Sequence, residues 1–130
     1  MLVAGGQTIA FREGRFFQSR PASAEIYDPE SNRWSTTGPM GFYRVGHGAT
    51  RLADGRVLVA GGWGDERILK STEIYDARED RWISAAPMGV ARSGRAATRL
   101  PDGHVFVASG IATQTSCTPR PCSVTARYWS

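Results

Sequence analysis

Features that mark several common classes of protein are scarce in this chain of 130 residues. The longest apolar stretch, Val57–Ala60, is far shorter than the roughly 20 residues that cross a membrane. The chain turns polar at Gln7, so its start does not resemble a secretory signal. No segment shows a helical period of apolar residues. Hydrophobic residues make up 41% and charged residues 22%, which argues against a disordered or fibrous protein.

Nearly all the basic residues are arginines, and the charged residues are spread along the chain. Lys and Arg together number 16, and only Lys70 is a lysine, while Asp and Glu number 12. The densest basic stretch holds Arg92, Arg95 and Arg99, and acidic neighbours dilute the remaining arginines. A nucleic-acid surface needs a clustered basic patch. The spread therefore favours a solvated surface, and we expect neither a nucleic-acid partner nor a membrane partner.

The two cysteines, Cys117 and Cys122, lie close together in a loop that holds two prolines. Two thiols alone cannot form a four-ligand zinc site, and the chain has only two histidines to add. A local disulfide is the first interpretation, and two unlinked thiols remain an alternative. A disulfide would place the parent protein in an oxidising compartment, extracellular or periplasmic. We expect no metal and no cofactor.

The sequence repeats with a period of 48 residues. Shifted by 48 positions, residues 23–62 align with residues 71–110 without a gap, and 22 of the 40 aligned positions are identical. Unrelated sequences would share about two or three. An earlier partial copy is present, because Leu2–Gly6 repeats Leu58–Gly62. A period of this length predicts repeated structural units.

The best-defined unit predicts four short antiparallel strands and almost no other regular structure. Asp54-Gly55 is a hairpin signal. Val57–Ala60 has no polar alternation, which predicts burial on both faces of its strand. The predicted strands cover residues 46–52, 56–60, 71–76 and 81–84.

The loop between the second and third strands varies most among the units. It covers residues 7–22, 63–70 and 111–123 in turn. Repeat proteins usually place recognition on such variable loops. The first of these loops holds Phe11, Phe16 and Phe17 beside several arginines. They predict either an aromatic and basic contact surface or, as the preferred interpretation, packing of the loop against the edge of its unit.

These units resemble the kelch repeat of β-propellers, a family that includes bacterial kelch proteins and the central domain of galactose oxidase. That family carries a glycine pair after its second strand, followed by a spaced Tyr and Trp. The resemblance implies an all-β fold, a partial kelch-type propeller of about two and a half to three four-stranded antiparallel blades. The matching residues are Gly61, Gly62, Tyr75 and Trp82, then Gly5, Gly6, Tyr27 and Trp34, and finally Gly110.

The predicted blades divide the chain into residues 1–43, 44–91 and 92–130, of which only the second is complete. The predicted third strand of the last blade is Val124–Trp129. Propellers close with typically four to eight blades. We therefore expect the chain to be a fragment that self-associates or is completed by further blades.

The candidate binding residues are Arg44, Arg92, Arg95, His47 and Trp63. The resemblance places the repeated Arg-x-Gly beside the central channel, where some kelch propellers hold acidic peptides with arginines. A planar guanidinium suits a carboxylate. The alternative is that Arg44 and Arg92 form a structural contact that repeats with the blade. His47 is more readily a structural histidine than a site residue.

Catalytic motifs are lacking, since the chain has no Gly-x-Ser-x-Gly, Walker or His-Glu-x-x-His pattern. The preferred function is the binding of a protein or peptide through the inter-strand loops and the channel face. An acidic partner fits this interpretation. One alternative is a piece of a secreted galactose-oxidase-like carbohydrate or alcohol oxidase. Another is a sugar-binding module in which Trp63 and the loop phenylalanines stack on the sugar.

Overall fold

The computed structural model describes residues 1–19, 21–94, 96–108 and 111–112. Within them the chain forms strands and no helix, which confirms the all-β prediction. No helical segment in this part has the length and apolarity of a membrane span. The strands are β1 (Leu2–Ala4), β2 (Thr8–Arg12), β3 (Arg15–Ser19), β4 (Ala24–Asp28), β5 (Arg33–Thr36), β6 (Gly48–Arg51), β7 (Val57–Ala60), β8 (Thr72–Asp76), β9 (Arg81–Ala85), β10 (Arg92–Ser93), β11 (Ala96–Arg99), β12 (Val105–Ala108) and β13 (Ile111–Ala112).

The second unit is a four-stranded antiparallel sheet in the order β6-β7-β8-β9. Its strands begin and end within two residues of the predicted bounds. A tight turn joins β6 to β7, and Gly55 adopts a φ of 91° there, as the Asp-Gly signal requires. The four-stranded antiparallel blade predicted for this unit is confirmed.

The first unit is a three-stranded antiparallel sheet in the order β1-β4-β5, and it repeats the contacts of the second. Tyr27 lies opposite Trp34 just as Tyr75 lies opposite Trp82. The ring centroids are 5.2 Å apart in both pairs. Each tyrosine hydroxyl donates a hydrogen bond to the side chain five residues later, at 2.9 Å and 2.7 Å. The repeated Tyr and Trp therefore fasten the outer hairpin of each sheet.

The third unit contributes the antiparallel pair β11-β12 to the described part of the chain. Before it, β10 pairs with β13, and this brings Ser93 opposite Ile111. The isolated bridge between Val45 and Trp63 is the corresponding contact one unit earlier. The predicted strand Val124–Trp129 lies outside the described residues.

Close backbone contacts connect each unit to the next. Gly61 adopts a φ of 66°, and a Cβ added to it would overlap the carbonyl oxygen of Arg92. The N–H of Gly62 donates to that same oxygen at 2.9 Å. In the first unit the N–H of Gly6 donates to the carbonyl oxygen of Arg44 at 3.2 Å. Only glycine combines a positive φ with this close approach, so the glycine pairs join neighbouring sheets.

Most of the buried apolar residues lie in the second unit. Val59 is 0% exposed, whereas its counterpart in the first unit, Val3, is 46% exposed. Ala60 is buried as well, and the preceding Val57 and Leu58 are half-buried. The face of the second unit packs closely on the third, where a Cβ added to Gly48 would lie 2.9 Å from that of Ala97.

Candidate binding surfaces

Arg44 lies between the first and second units, shortly before β6, and is 0% exposed. Its guanidinium donates five hydrogen bonds of 2.8–3.0 Å. Two go to Glu73, two to the carbonyl and hydroxyl oxygens of Ser71, and one to the carbonyl of Gly61. A guanidinium has five N–H donors. Arg44 therefore has no donor left for a ligand. This geometry supports the alternative interpretation that Arg44 makes a structural contact.

Glu73, the second residue of β8, completes this buried cluster. Its Oε2 accepts from Arg44 at 2.8 Å, and its Oε1 accepts from the N–H of Gly41 at 2.6 Å. The two side chains are 0% and 3% exposed. The carboxylate thus fastens the connection that precedes β6 to the third strand of the same sheet. The sequence analysis did not single out Glu73, although Glu25 and Glu73 repeat in register with the arginines.

Arg92 occupies the place of Arg44 one unit later, but its surroundings differ. Its N–H donates to the carbonyl of Leu69 at 3.1 Å, and its carbonyl accepts from Gly62. The residue is half-buried. Among the described residues, none accepts a hydrogen bond or an ion pair from the Arg92 guanidinium. Arg92 is one of the residues that line a groove between the second and third units.

His47 lies directly before β6, and its imidazole is partly enclosed. Its Nδ1 atom is buried and has no hydrogen-bond partner among the residues that the structure describes. Burial, and then the nearby positive charge of Arg44, lower the pKa of His47 below its ordinary value of 6.5. The ring is therefore neutral at pH 7. It borders a cleft together with Gln7 and Val45 and offers that cleft hydrogen bonding without charge.

Trp63 presents an indole ring beside a second cleft. The residue is 45% exposed although its backbone bridges to Val45. The cleft has a volume of about 290 Å³, and the residues that line it include Gln7, Asp65 and Glu66. An aromatic ring beside amide and carboxylate groups is suited to a polar ligand with apolar faces.

The long loop of the first unit contains a β-hairpin, β2-β3, that the sequence analysis did not predict. Its two turn residues, Glu13 and Gly14, adopt φ values of 51° and 74°. Positive φ at both central positions is the geometry of a type I′ turn, whose twist matches that of the two strands. Alternating apolar residues on both sides of a Gly-containing turn were the available signal.

The phenylalanines of this hairpin do not pack in the preferred predicted way. Phe11 and Phe16 lie opposite each other with ring centroids 4.9 Å apart. They are 62% and 78% exposed, so packing against the edge of the unit is a wrong prediction for both. The structure does not describe the side chain of Phe17. Ile9 lies on the same face as Phe11 and Phe16 and is also exposed.

Other predicted residues lie outside the described part of the chain. They are the candidate binding residue Arg95, the repeat marker Gly110 and the cysteines Cys117 and Cys122. In the described ranges, no group of three or more His, Cys, Asp or Glu side chains is placed to hold a metal ion.

A four-stranded and a three-stranded antiparallel sheet repeat the same plan, are joined through glycine pairs and carry matching Tyr-Trp pairs, which is typical of a β-propeller type of protein. Residues 44–89 match the family described as the Kelch motif, and this segment contains the whole β6-β9 sheet with Arg44 and Glu73. This match supports the kelch-repeat resemblance that the sequence predicted. No curated protein matches the chain.

Proposed function

We propose that this kelch-repeat protein binds another protein and that the β2-β3 hairpin is a principal contact element. The observation that carries the proposal is the exposed ring pair of Phe11 and Phe16. Aromatic side chains are enriched at the centres of protein interfaces, where a few of them supply most of the binding energy. The kelch family is commonly a scaffold for protein interaction, which agrees with this role.

The hairpin also has the stiffness and charge that an interface uses. The type I′ turn fixes the strand pairing, so little conformational entropy is lost on binding. Arg12 and Arg15 lie opposite each other next to the turn, and both are exposed. Two like charges this close favour an acidic surface on the partner. The resulting contact element has one aromatic face and a basic tip.

Site-specific photo-crosslinking tests this proposal. A photoreactive phenylalanine analogue is placed at Phe16, and the matched control carries it at Phe42, an exposed phenylalanine outside the hairpin. We expect a discrete protein adduct from position 16 and none from position 42. The purified partner should then bind Phe11→Ser/Phe16→Ser about 30-fold more weakly than the unchanged chain, because a lost hot spot costs about 2 kcal/mol. Equal crosslinking at both positions would contradict the assignment of the hairpin.

Carbohydrate binding is a second candidate, and the cleft beside Trp63 favours it. The exposed indole offers a stacking surface, and Asp65 and Glu66 are among the residues that line the cleft. Affinity electrophoresis against a panel of soluble polysaccharides tests this candidate. We expect a ligand to retard the chain and Trp63→Ala to abolish the retardation, with Trp34→Ala as the control for a half-exposed tryptophan elsewhere. The oxidase alternative is tested separately by copper analysis of the intact protein.

A further inference from the structure

Two tight turns of the chain carry the dipeptide Asp-Gly at equivalent positions of the repeat. Asp54-Gly55 lies between β6 and β7, and Asp102-Gly103 lies between β11 and β12. In this dipeptide the main-chain nitrogen of the glycine can attack the side-chain carboxyl of the aspartate, because glycine has no Cβ to obstruct the approach. Both turns are therefore candidate sites of spontaneous covalent modification.

The main chain of the two turns has the same geometry. The N–H of Gly55 donates to the carbonyl of Leu52 at 3.1 Å, and the glycine adopts a φ of 91°. The N–H of Gly103 donates to the carbonyl of Leu100 at 3.0 Å, and this glycine adopts a φ of 92°. Each aspartate accepts a hydrogen bond from the main-chain N–H two residues later, at 3.1 Å and 3.0 Å. Because these geometries agree, any conformational barrier to ring closure is common to both turns.

The side chains that contact the two carboxylates differ. Oδ2 of Asp54 accepts from the guanidinium of Arg56, whose Nε and Nη2 lie at 2.8 Å and 2.7 Å. In the other turn, Oδ2 of Asp102 lies 3.1 Å from Nδ1 of His104. A guanidinium is always charged, whereas an imidazole is charged only when it is protonated. The first carboxylate thus has a permanent cation as its side-chain partner, and the second has a titratable one.

The causes that lower the pKa values of the two carboxyl groups agree with this difference. The pKa of Asp54 is lowered first by the side-chain hydrogen bond from Arg56 and then by the main-chain N–H of the same residue. The pKa of Asp102 is lowered first by the main-chain N–H of His104 and then by its side chain. A carboxyl group must be protonated before it readily loses an oxygen as water. The guanidinium of Arg56 therefore opposes the reaction at Asp54.

A second arginine lies against the glycine of the first turn. A Cβ added to Gly55 would lie 3.4 Å from Nη2 of Arg51. The counterpart of Arg51 in the third unit is Arg99, the last residue of β11. No described atom, those of Arg99 included, lies within 4 Å of a Cβ added to Gly103. Arg51 thus shields the first dipeptide in a way that Arg99 does not shield the second.

We propose that Asp102-Gly103 is a site of isoaspartate formation and that Asp54-Gly55 is protected from it. The nitrogen of Gly103 forms a bond to Cγ of Asp102, and one carboxyl oxygen leaves as water with the carboxyl proton and the proton of that nitrogen. A second water then hydrolyses the cyclic imide at its main-chain carbonyl. The product has the original composition, one more carbon in the main chain of the turn and a free α-carboxylate. Water is the only other reactant, and no binding partner is required.

Ageing of the full chain in neutral buffer at physiological temperature tests this proposal. Peptide mapping measures isoaspartate separately at positions 54 and 102, because its peptides elute apart from those of aspartate at unchanged mass. Two variants, His104→Arg and Arg56→His, exchange the partners of the two carboxylates. The side chains of His104 and Arg56 are 57% and 39% exposed, and circular dichroism establishes that each variant is folded. The unchanged chain unfolded in urea is the control that lacks both turns.

We expect isoaspartate to accumulate about two- to fivefold faster at position 102 than at position 54, because an exposed ion pair supplies a factor of this size. His104→Arg should slow the reaction at position 102, Arg56→His should accelerate it at position 54, and the two rates should approach each other in urea.

The proposal would be overturned by equal rates in the folded chain, by a faster reaction at position 54, or by rates that the exchange of partners leaves unchanged. A difference of the same size in urea would also overturn it, and so would a folded chain that forms no isoaspartate while the unfolded chain is converted. If a variant does not fold, the two positions of the unchanged chain decide.

Discussion

The same substitution at Arg44 and at Arg92 should have very different consequences for stability. The two arginines are equivalent in the repeat, yet Arg44 is 0% exposed and donates five hydrogen bonds, while Arg92 is half-buried. Arg44→Met removes the cation and leaves the carboxylate of Glu73 buried beside an apolar side chain. Arg92→Met removes a guanidinium to which no described residue is bonded.

The magnitude follows from the charge that each change leaves behind. Removing one partner of a buried ion pair costs about 3–5 kcal/mol, most of it the penalty of burying the remaining charge. Unfolding of a whole domain costs only about 5–15 kcal/mol. Arg44→Met should therefore remove a large share of the stability, whereas Arg92→Met should change it by about 0.5 kcal/mol or less. The double variant Arg44→Met/Glu73→Leu should recover much of the loss, because no unpaired charge remains.

Urea unfolding followed by circular dichroism measures the free energy of unfolding of the unchanged chain and of each variant. Together, the single and double variants of Arg44 and Glu73 form a double-mutant cycle, and its coupling energy reports the pair directly. Glu73→Leu alone should be nearly as destabilising as Arg44→Met. Equal losses for Arg44→Met and Arg92→Met would refute the reasoning, since they would show that the buried cluster does not distinguish the two sites.

Three further predictions concern single features of the fold. Gly61→Ala should destabilise the protein more than the roughly 1–2 kcal/mol that a positive φ costs, and Gly14→Ala, at a similar φ but with open space around its Cβ, should cost no more than that. Thermal unfolding compares them, and equal shifts would argue against the close contact at Gly61. The pKa of His47 is lowered, so its contribution to stability is complete above pH 6.5 and decreases as the pH falls towards the folded value, because the unfolded chain binds the proton first. His47→Gln should flatten that part of the stability-pH curve, and an unchanged slope would count against it. Cys117 and Cys122 should give no reaction in a thiol titration of the unfolded, unreduced chain, whereas two reactive thiols would exclude the disulfide.

The strand framework was predictable because its signals are local. Asp54-Gly55 identifies a tight turn, and the apolar run Val57–Ala60 identifies a strand that is covered on both sides. The 48-residue repeat then transfers these assignments from one unit to the next. Each signal depends on a few neighbouring residues, so it survives without knowledge of the tertiary structure.

The role of Arg44 was not predictable in the same way, since it depends on residues far along the chain. Its partner Glu73 is 29 residues away, and only the paired strands bring the two side chains together. The sequence alone left a ligand contact and a structural contact open for every repeated arginine. The hairpin β2-β3 was missed for a different reason. Its turn is Glu13-Gly14 rather than the commoner Asn-Gly or Asp-Gly pairs, so the local signal was weak.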